Sequence, residues 1–204
     1  MADTASTPSV EETLAWEAEQ RPRAGAASIV AGVFTLLGGI GAAIVYRDFP
    51  RVPLVDALRD ALGQPLPGRR GLKTDQVLFY DDKLVQLLIV SIVLAIGALA
   101  MAGALVYLYR ATKARRPEMP AIGLVCAVGG PVALAVSELL LQVVVSKLSH
   151  DFATGSDRSS QAAHDALQSS LLVAAQILRQ LAIIALGVAF VLISINALAD
   201  RARA

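Results

Sequence analysis

The sequence predicts an all-α membrane protein, a four-transmembrane-helix bundle with a short amphipathic helix in its first outer loop. Three observations carry that expectation. Four apolar runs, at 24–46, 84–109, 120–146 and 166–199, each exceed the ~20 apolar residues a helix needs to cross a ~30 Å hydrocarbon core. Hydrophobic residues make up 55% of the chain and charged ones 17%, with a mean hydropathy of +0.60, high for a soluble domain. The charges collect in the stretches between the runs. Because lipid offers no partner to a backbone amide, each run can cross only as a helix that satisfies its own hydrogen bonds.

Residues 1–23 form a polar tail on the cytoplasmic side. Ser9-Val10-Glu11-Glu12 fits a capping box, in which a serine hydroxyl and a glutamate carboxylate satisfy the orphan amides of a helix start. That short interfacial helix is expected to stop near Arg21, since Pro22 disfavours helical backbone at the residue before it. Trp16 would then sit at the headgroup level. A secretory signal has a short basic start and an apolar stretch of about 7–15 residues. This tail instead carries Asp3, Glu11, Glu12, Glu17 and Glu19, so the run at 24–46 reads as a retained span.

Span 24–46 sets Ala27, Ala31, Thr35, Gly39 and Ala43 four residues apart, with Gly38 and Ala42 alongside. Span 84–109 offers Ala98/Ala102 and Ala100/Ala104. Such small faces let helix backbones approach closely, either within the bundle or against a second copy. Loop 47–83 between these spans contains a proline-opened segment, Pro53–Leu62, followed by Gly63, which reads as a helix. Its Leu54, Val55, Leu58 and Leu62 share a face suited to lying on the membrane or capping the bundle. The turn-rich Pro65–Gly71 stretch comes next. In span 120–146, Gly129-Gly130-Pro131 is expected to bend the helix. The last span, 166–199, leads into a cytoplasmic tail at 200–204.

Orientation follows from the positive-inside rule. The short connection after span two holds Arg110, Lys113, Arg115 and Arg116; Arg21 and Arg23 precede span one, and Arg201 and Arg203 follow span four. Placing all of these in the cytoplasm puts both termini inside and loop 47–83 outside. That loop also carries basic residues, such as Arg47, Arg51, Arg69 and Arg70, interleaved with aspartates. The expected location is the cytoplasmic (plasma) membrane, and the excess of arginine over lysine, with the Ala, Val and Leu richness, suggests a bacterial source.

Ionisable residues inside spans are costly and become functional candidates by default. Glu138 and Arg179 are the two here. Counted from the cytoplasmic ends they lie ~27 Å and ~32 Å deep at 1.5 Å per residue, a match that suggests an ion pair in the outer leaflet. Gln142, Ser146 and His150 continue the Glu138 face at four-residue intervals, and Ser169, Gln176 and Gln180 accompany Arg179. Together Glu138, Gln142, Gln176, Arg179 and Gln180 describe an intramembrane polar seam. It reads either as a network that fixes which helix packs on which, or as a ligand or ion pathway.

Outside the spans, His150, Asp151, His164 and Asp165, with Asp157 between, could hold a divalent cation. Their spacing fits no metal motif, so no metal and no cofactor are assigned. GxxxxGK[ST], HExxH, GxSxG and CxxC are all absent. The single Cys126 lies inside the third run, so the outer-loop cysteine signatures of claudins and tetraspanins are missing and no family resemblance is drawn. The resulting expectation is a multi-pass, non-enzymatic protein with a structural, regulatory or assembly role. The alternative is a small channel or transporter subunit using the seam. Expected partners are the lipid bilayer and a membrane-protein partner or homo-oligomer; a net charge of +1 gives no reason to expect nucleic acid.

Overall fold

The computed structural model describes residues 10–51, 62, 72–157 and 159–201. No strand occurs among them. The helices are α1 (Val10–Val45), α2 (Leu72–Asp82), α3 (Leu84–Arg115), α4 (Ile122–Thr154), α5 (Ser160–Leu167) and α6 (Ser170–Arg201), with a single 3₁₀ turn at Tyr46–Asp48. Four helical segments, built on α1, α3, α4 and α6, are long and apolar enough to cross a membrane. Large apolar side chains stand exposed on all four, for example Ile29 at 68%, Val85 at 64%, Val125 at 63% and Ile184 at 61%. Water tolerates few continuous apolar faces of that kind, whereas hydrocarbon is their natural solvent.

Several boundaries differ from the sequence reading. α1 does not stop at Arg21 but runs through Pro22 into the first apolar run. An interior proline removes one backbone hydrogen bond and costs roughly 3 kcal/mol. Here two contacts hold the turns before it in place. Trp16 stacks on Tyr107 at 5.7 Å between ring centroids, and Arg115 Nη2 donates to both carboxylate oxygens of Glu17 at 2.9 and 2.8 Å. α3 likewise outruns its span, carrying Arg110, Lys113 and Arg115 on its last turns, where basic side chains suit the helix dipole. The apolar segment at the chain's end, Ala162–Leu198, is divided into α5 and α6, because Gln168 leaves helical backbone at φ −103° and ψ 15°. Ser169 then accepts the first bond of α6, from the amide of Val173 at 3.1 Å. The α2 helix was not anticipated. The helix expected over Pro53–Leu62, apart from an exposed Leu62, lies outside the described residues, as do Ser9 of the capping box and Pro65–Gly71.

The buried face of each long helix has a seven-residue rhythm. It reads Ala24, Ala31 and Gly38 on α1; Ser91, Ala98, Leu105 and Thr112 on α3; Ala135, Gln142 and Ser149 on α4; and Ala175, Ala182 and Ala189 on α6. This replaces the four-residue stripe expected on α1, where Gly39 and Ala43 are exposed. With 3.6 residues per turn, a strict four-residue step drifts around the helix, whereas a step of seven stays on one seam.

The chain divides into two compact units. The first comprises residues 1–34, 96–135 and 180–204. Its core joins Leu105, Tyr109, Met119, Ala127, Ala189 and Ile193. Tyr109 Oη donates to the Pro120 carbonyl at 3.3 Å, and Lys113 Nζ lies 5.7 Å from the Tyr109 ring centroid, so this aromatic closes the turn between α3 and α4. In the same unit Gly130 of α4 packs against α6. A Cβ added there would stand 3.0 Å from the Leu186 amide nitrogen. α4 continues through the fully buried Pro131.

The second unit comprises residues 35–95 and 136–179. α2 packs on α5 here, and Val77, Phe152 and Ala163 form its small core. Tyr46, Phe49, Phe79 and Tyr80 make an aromatic cluster with successive centroids 5.2 to 6.0 Å apart. Gly38 receives the Leu94 side chain, whose Cδ2 would stand 2.5 Å from an added Cβ.

Candidate functional site

The site grows from the two charges set within the apolar stretches of α4 and α6. α4 carries Glu138 and α6 carries Arg179, both within the second unit. Arg179 Nε donates to Glu138 Oε1 at 2.9 Å, so the pair expected from the depth count is closed. The Glu138 side chain is 14% exposed and that of Arg179 47%. The carboxylate is therefore sheltered, while nearly half of the Arg179 side chain stays exposed.

Around the pair lies a cavity of about 440 Å³, within the 300–1,000 Å³ range of small-molecule sites. Its polar lining is Glu138, Gln142, Gln176, Arg179, Ser91 and the two phenols Tyr46 and Tyr80; leucines and valines, most of them from α3 and α4, and Ala42 of α1 supply the rest. Gln142 is buried and donates from Nε2 to Ser146 Oγ at 3.0 Å, one turn along the same helix. Gln176 reaches the cavity. Gln180, the fifth residue of the expected seam, is exposed and does not line it. Four residues past Gln176, it has turned some 40° further around the helix, beyond the face that Gln176 and Arg179 share.

Three polar lining residues were not singled out from the sequence. Ser91 is the one serine of α3 and is buried. Tyr46 ends the first apolar run and Tyr80 lies on α2, shortly before the second, at the positions where interfacial aromatics gather. Burial pushes the Tyr80 phenol well above the usual tyrosine range, with Tyr46, its hydrogen-bond partner, adding to the shift. Tyr80 therefore stays neutral and keeps its O–H at any physiological pH.

The histidines part company. His150 Nδ1 faces Asp81 Oδ1 of α2 at 3.3 Å, whereas His164 Nδ1 meets Lys73 Nζ. Asp157 serves the start of α5, accepting from the Ser159 amide at 2.9 Å, and that N–H holds its carboxyl below the ordinary aspartate range. Ser159 Oγ in turn accepts from the Ala162 amide. Asp151 and Asp165 are exposed. Among the described residues no group of three or more His, Cys, Asp or Glu side chains is arranged to hold a metal ion. The two histidine contacts tie α2 to the end of α4 and to α5.

Every buried side-chain nitrogen or oxygen among the described residues has a partner. The arrangement is thus a satisfied polar interior, with Glu138 paired to Arg179. The chain matches no protein-family model, and no curated protein and no solved structure is significantly similar to it.

Proposed function

We propose that this chain is a non-catalytic, four-helix integral protein of the cytoplasmic membrane, with both termini inside, whose role is structural, regulatory or in assembly. The observation that carries this reading is the closed Glu138–Arg179 contact at 2.9 Å. A charge pair within apolar helices restricts which faces can meet, because any other pairing strands an ion in hydrocarbon. Small residues repeating on each helix supply close backbone approach, and the pair supplies register. Apolar side chains exposed all along the long helices support contact with lipid or with the spans of a partner.

The cavity supports a second reading, a channel or transporter subunit whose solute passes between Glu138, Gln142, Gln176 and Arg179. The two separate in purified protein reconstituted into liposomes. A structural role predicts ion and small-solute flux no greater than that of protein-free vesicles, both for the native chain and for Glu138→Gln. Flux through the native chain that Glu138→Gln abolishes would replace the first reading with the second.

A further inference from the structure

The first unit contains a groove of about 220 Å³ between α1 and α3 that the polar seam does not touch. One end is cationic and aromatic. Arg23 and Arg110 line it together with Gln20 and the stacked Trp16–Tyr107 pair. The other end is apolar and shallow, floored by Ala24, Ala27, Gly103 and Val106. Both arginines are exposed, and among the described residues neither has a hydrogen-bond or ion-pair partner. The nearby Glu17 does not compete for them, because Arg115 Nη2 engages both of its oxygens.

We propose that this groove binds an anionic phospholipid, with the headgroup phosphate between Arg23 and Arg110 and the upper acyl chain along the Ala27–Gly103 floor. Guanidinium forks match phosphate oxygens bidentately, and among the described residues no carboxylate pairs with either arginine. Indole and phenol rings favour the headgroup level of a bilayer. Arg23 stands just before the first apolar run and Arg110 just after the second, so the cationic end lies at the membrane boundary. A free phosphate would satisfy the arginines, but it would leave the apolar floor unused. The gradient from charge to hydrocarbon within one groove matches a lipid and commits the site to that source.

Trp16, the only tryptophan in the chain, reports on the site directly. The full chain is reconstituted into phosphatidylcholine vesicles containing a minor fraction of brominated phosphatidylglycerol or, in matched vesicles, brominated phosphatidylcholine. Bromine quenches indole fluorescence on contact. The anionic lipid is expected to quench Trp16 at a lower mole fraction, with a preference of ~5-fold for each arginine. Arg23→Gln with Arg110→Gln should bring the ratio of the two lipids close to one. Gly103→Leu should lower it without altering charge, because a Cβ at 103 already stands 3.5 Å from Ala27 Cβ. Taking the ratio within each variant cancels any common change at the indole.

Equal quenching by the two lipids in the native chain, or a preference that survives both sets of variants, would overturn the proposal. So would inorganic phosphate that abolishes the preference at millimolar concentration, which would identify a phosphate site rather than a lipid site. The proposal rests on the membrane reading. Protein that fails to enter vesicles would break that reading, whereas equal quenching of incorporated protein breaks only the lipid site.

Discussion

Replacing Glu138 or Arg179 alone by leucine is expected to lower the stability of the detergent-solubilised protein more than replacing both. A single substitution leaves an uncompensated charge among apolar neighbours, whereas the double substitution leaves two side chains suited to their surroundings. The coupling read from a double-mutant cycle should be about 1–3 kcal/mol. That is below the ~3–5 kcal/mol typical of a broken, fully buried pair, because 47% of the Arg179 side chain remains exposed and able to snorkel. Thermal or denaturant unfolding of the four proteins supplies the numbers. Additive single effects would show that the 2.9 Å contact does not join the two helices energetically, and a solvated pathway would then account better for the cavity.

The second large effect concerns two neighbouring glycines. At Gly130 any side chain meets α6 at its backbone, with the Leu186 amide nitrogen 3.0 Å and the Ala182 carbonyl oxygen 3.4 Å from an added Cβ. Backbone cannot swing aside as a leucine tip can, so Gly130→Val must push the helices apart. Overpacking of this kind costs typically ~1–3 kcal/mol, and the loss of close approach along the seam should place this substitution at the upper end. Gly129 has nothing within 4 Å of its added Cβ. Gly129→Ala should therefore be neutral or stabilising by up to ~1 kcal/mol, since alanine restricts the unfolded chain and favours helix. The contrast is measurable as melting temperatures in one detergent. Equal losses at both positions would mean that helix bending at Gly-Gly-Pro, not contact with α6, governs this region.

The four long apolar helices were legible because length and hydropathy are read directly from the sequence. The Glu138–Arg179 contact was legible for a related reason: helix rise converts position into depth, and two opposite charges at similar depth have few other partners. Which face of each helix packs was less legible. Ala27, Thr35, Gly39 and Ala43 look as suitable as Ala24, Ala31 and Gly38 when read along one helix, because only the neighbour decides, and Leu94 fills the space beside Gly38. The same holds for α6, where Ala175, Ala182 and Ala189 are the most deeply buried residues and drew no notice among many alanines. Pro22 misled because the contacts that carry α1 past it, through Tyr107 and Arg115, come from a helix far away in sequence. Gln180 was assigned to the seam by periodicity, although periodicity cannot say where a cavity ends. The partners of His150 and His164 were hidden for a further reason. They lie on α2, a segment whose mixed polarity gives no strong helical pattern and whose order comes from packing on α5.

The proposed role, the depth of the polar cavity and the lipid groove all depend on the four long helices crossing a bilayer, and single-cysteine labelling tests that most directly. In a Cys126→Ala background, cysteine is placed at the exposed Arg51, before the second span, or at the exposed Glu118, between α3 and α4. Intact cells are then treated with a membrane-impermeant maleimide. The account predicts that the cysteine at 51 is modified, and that the one at 118 reacts only after permeabilisation. Modification of 118 but not 51 would invert the orientation and move the Glu138–Arg179 cavity to the inner leaflet. Modification of both in intact cells would contradict the four-span account itself, since no membrane would then separate the two ends of α3.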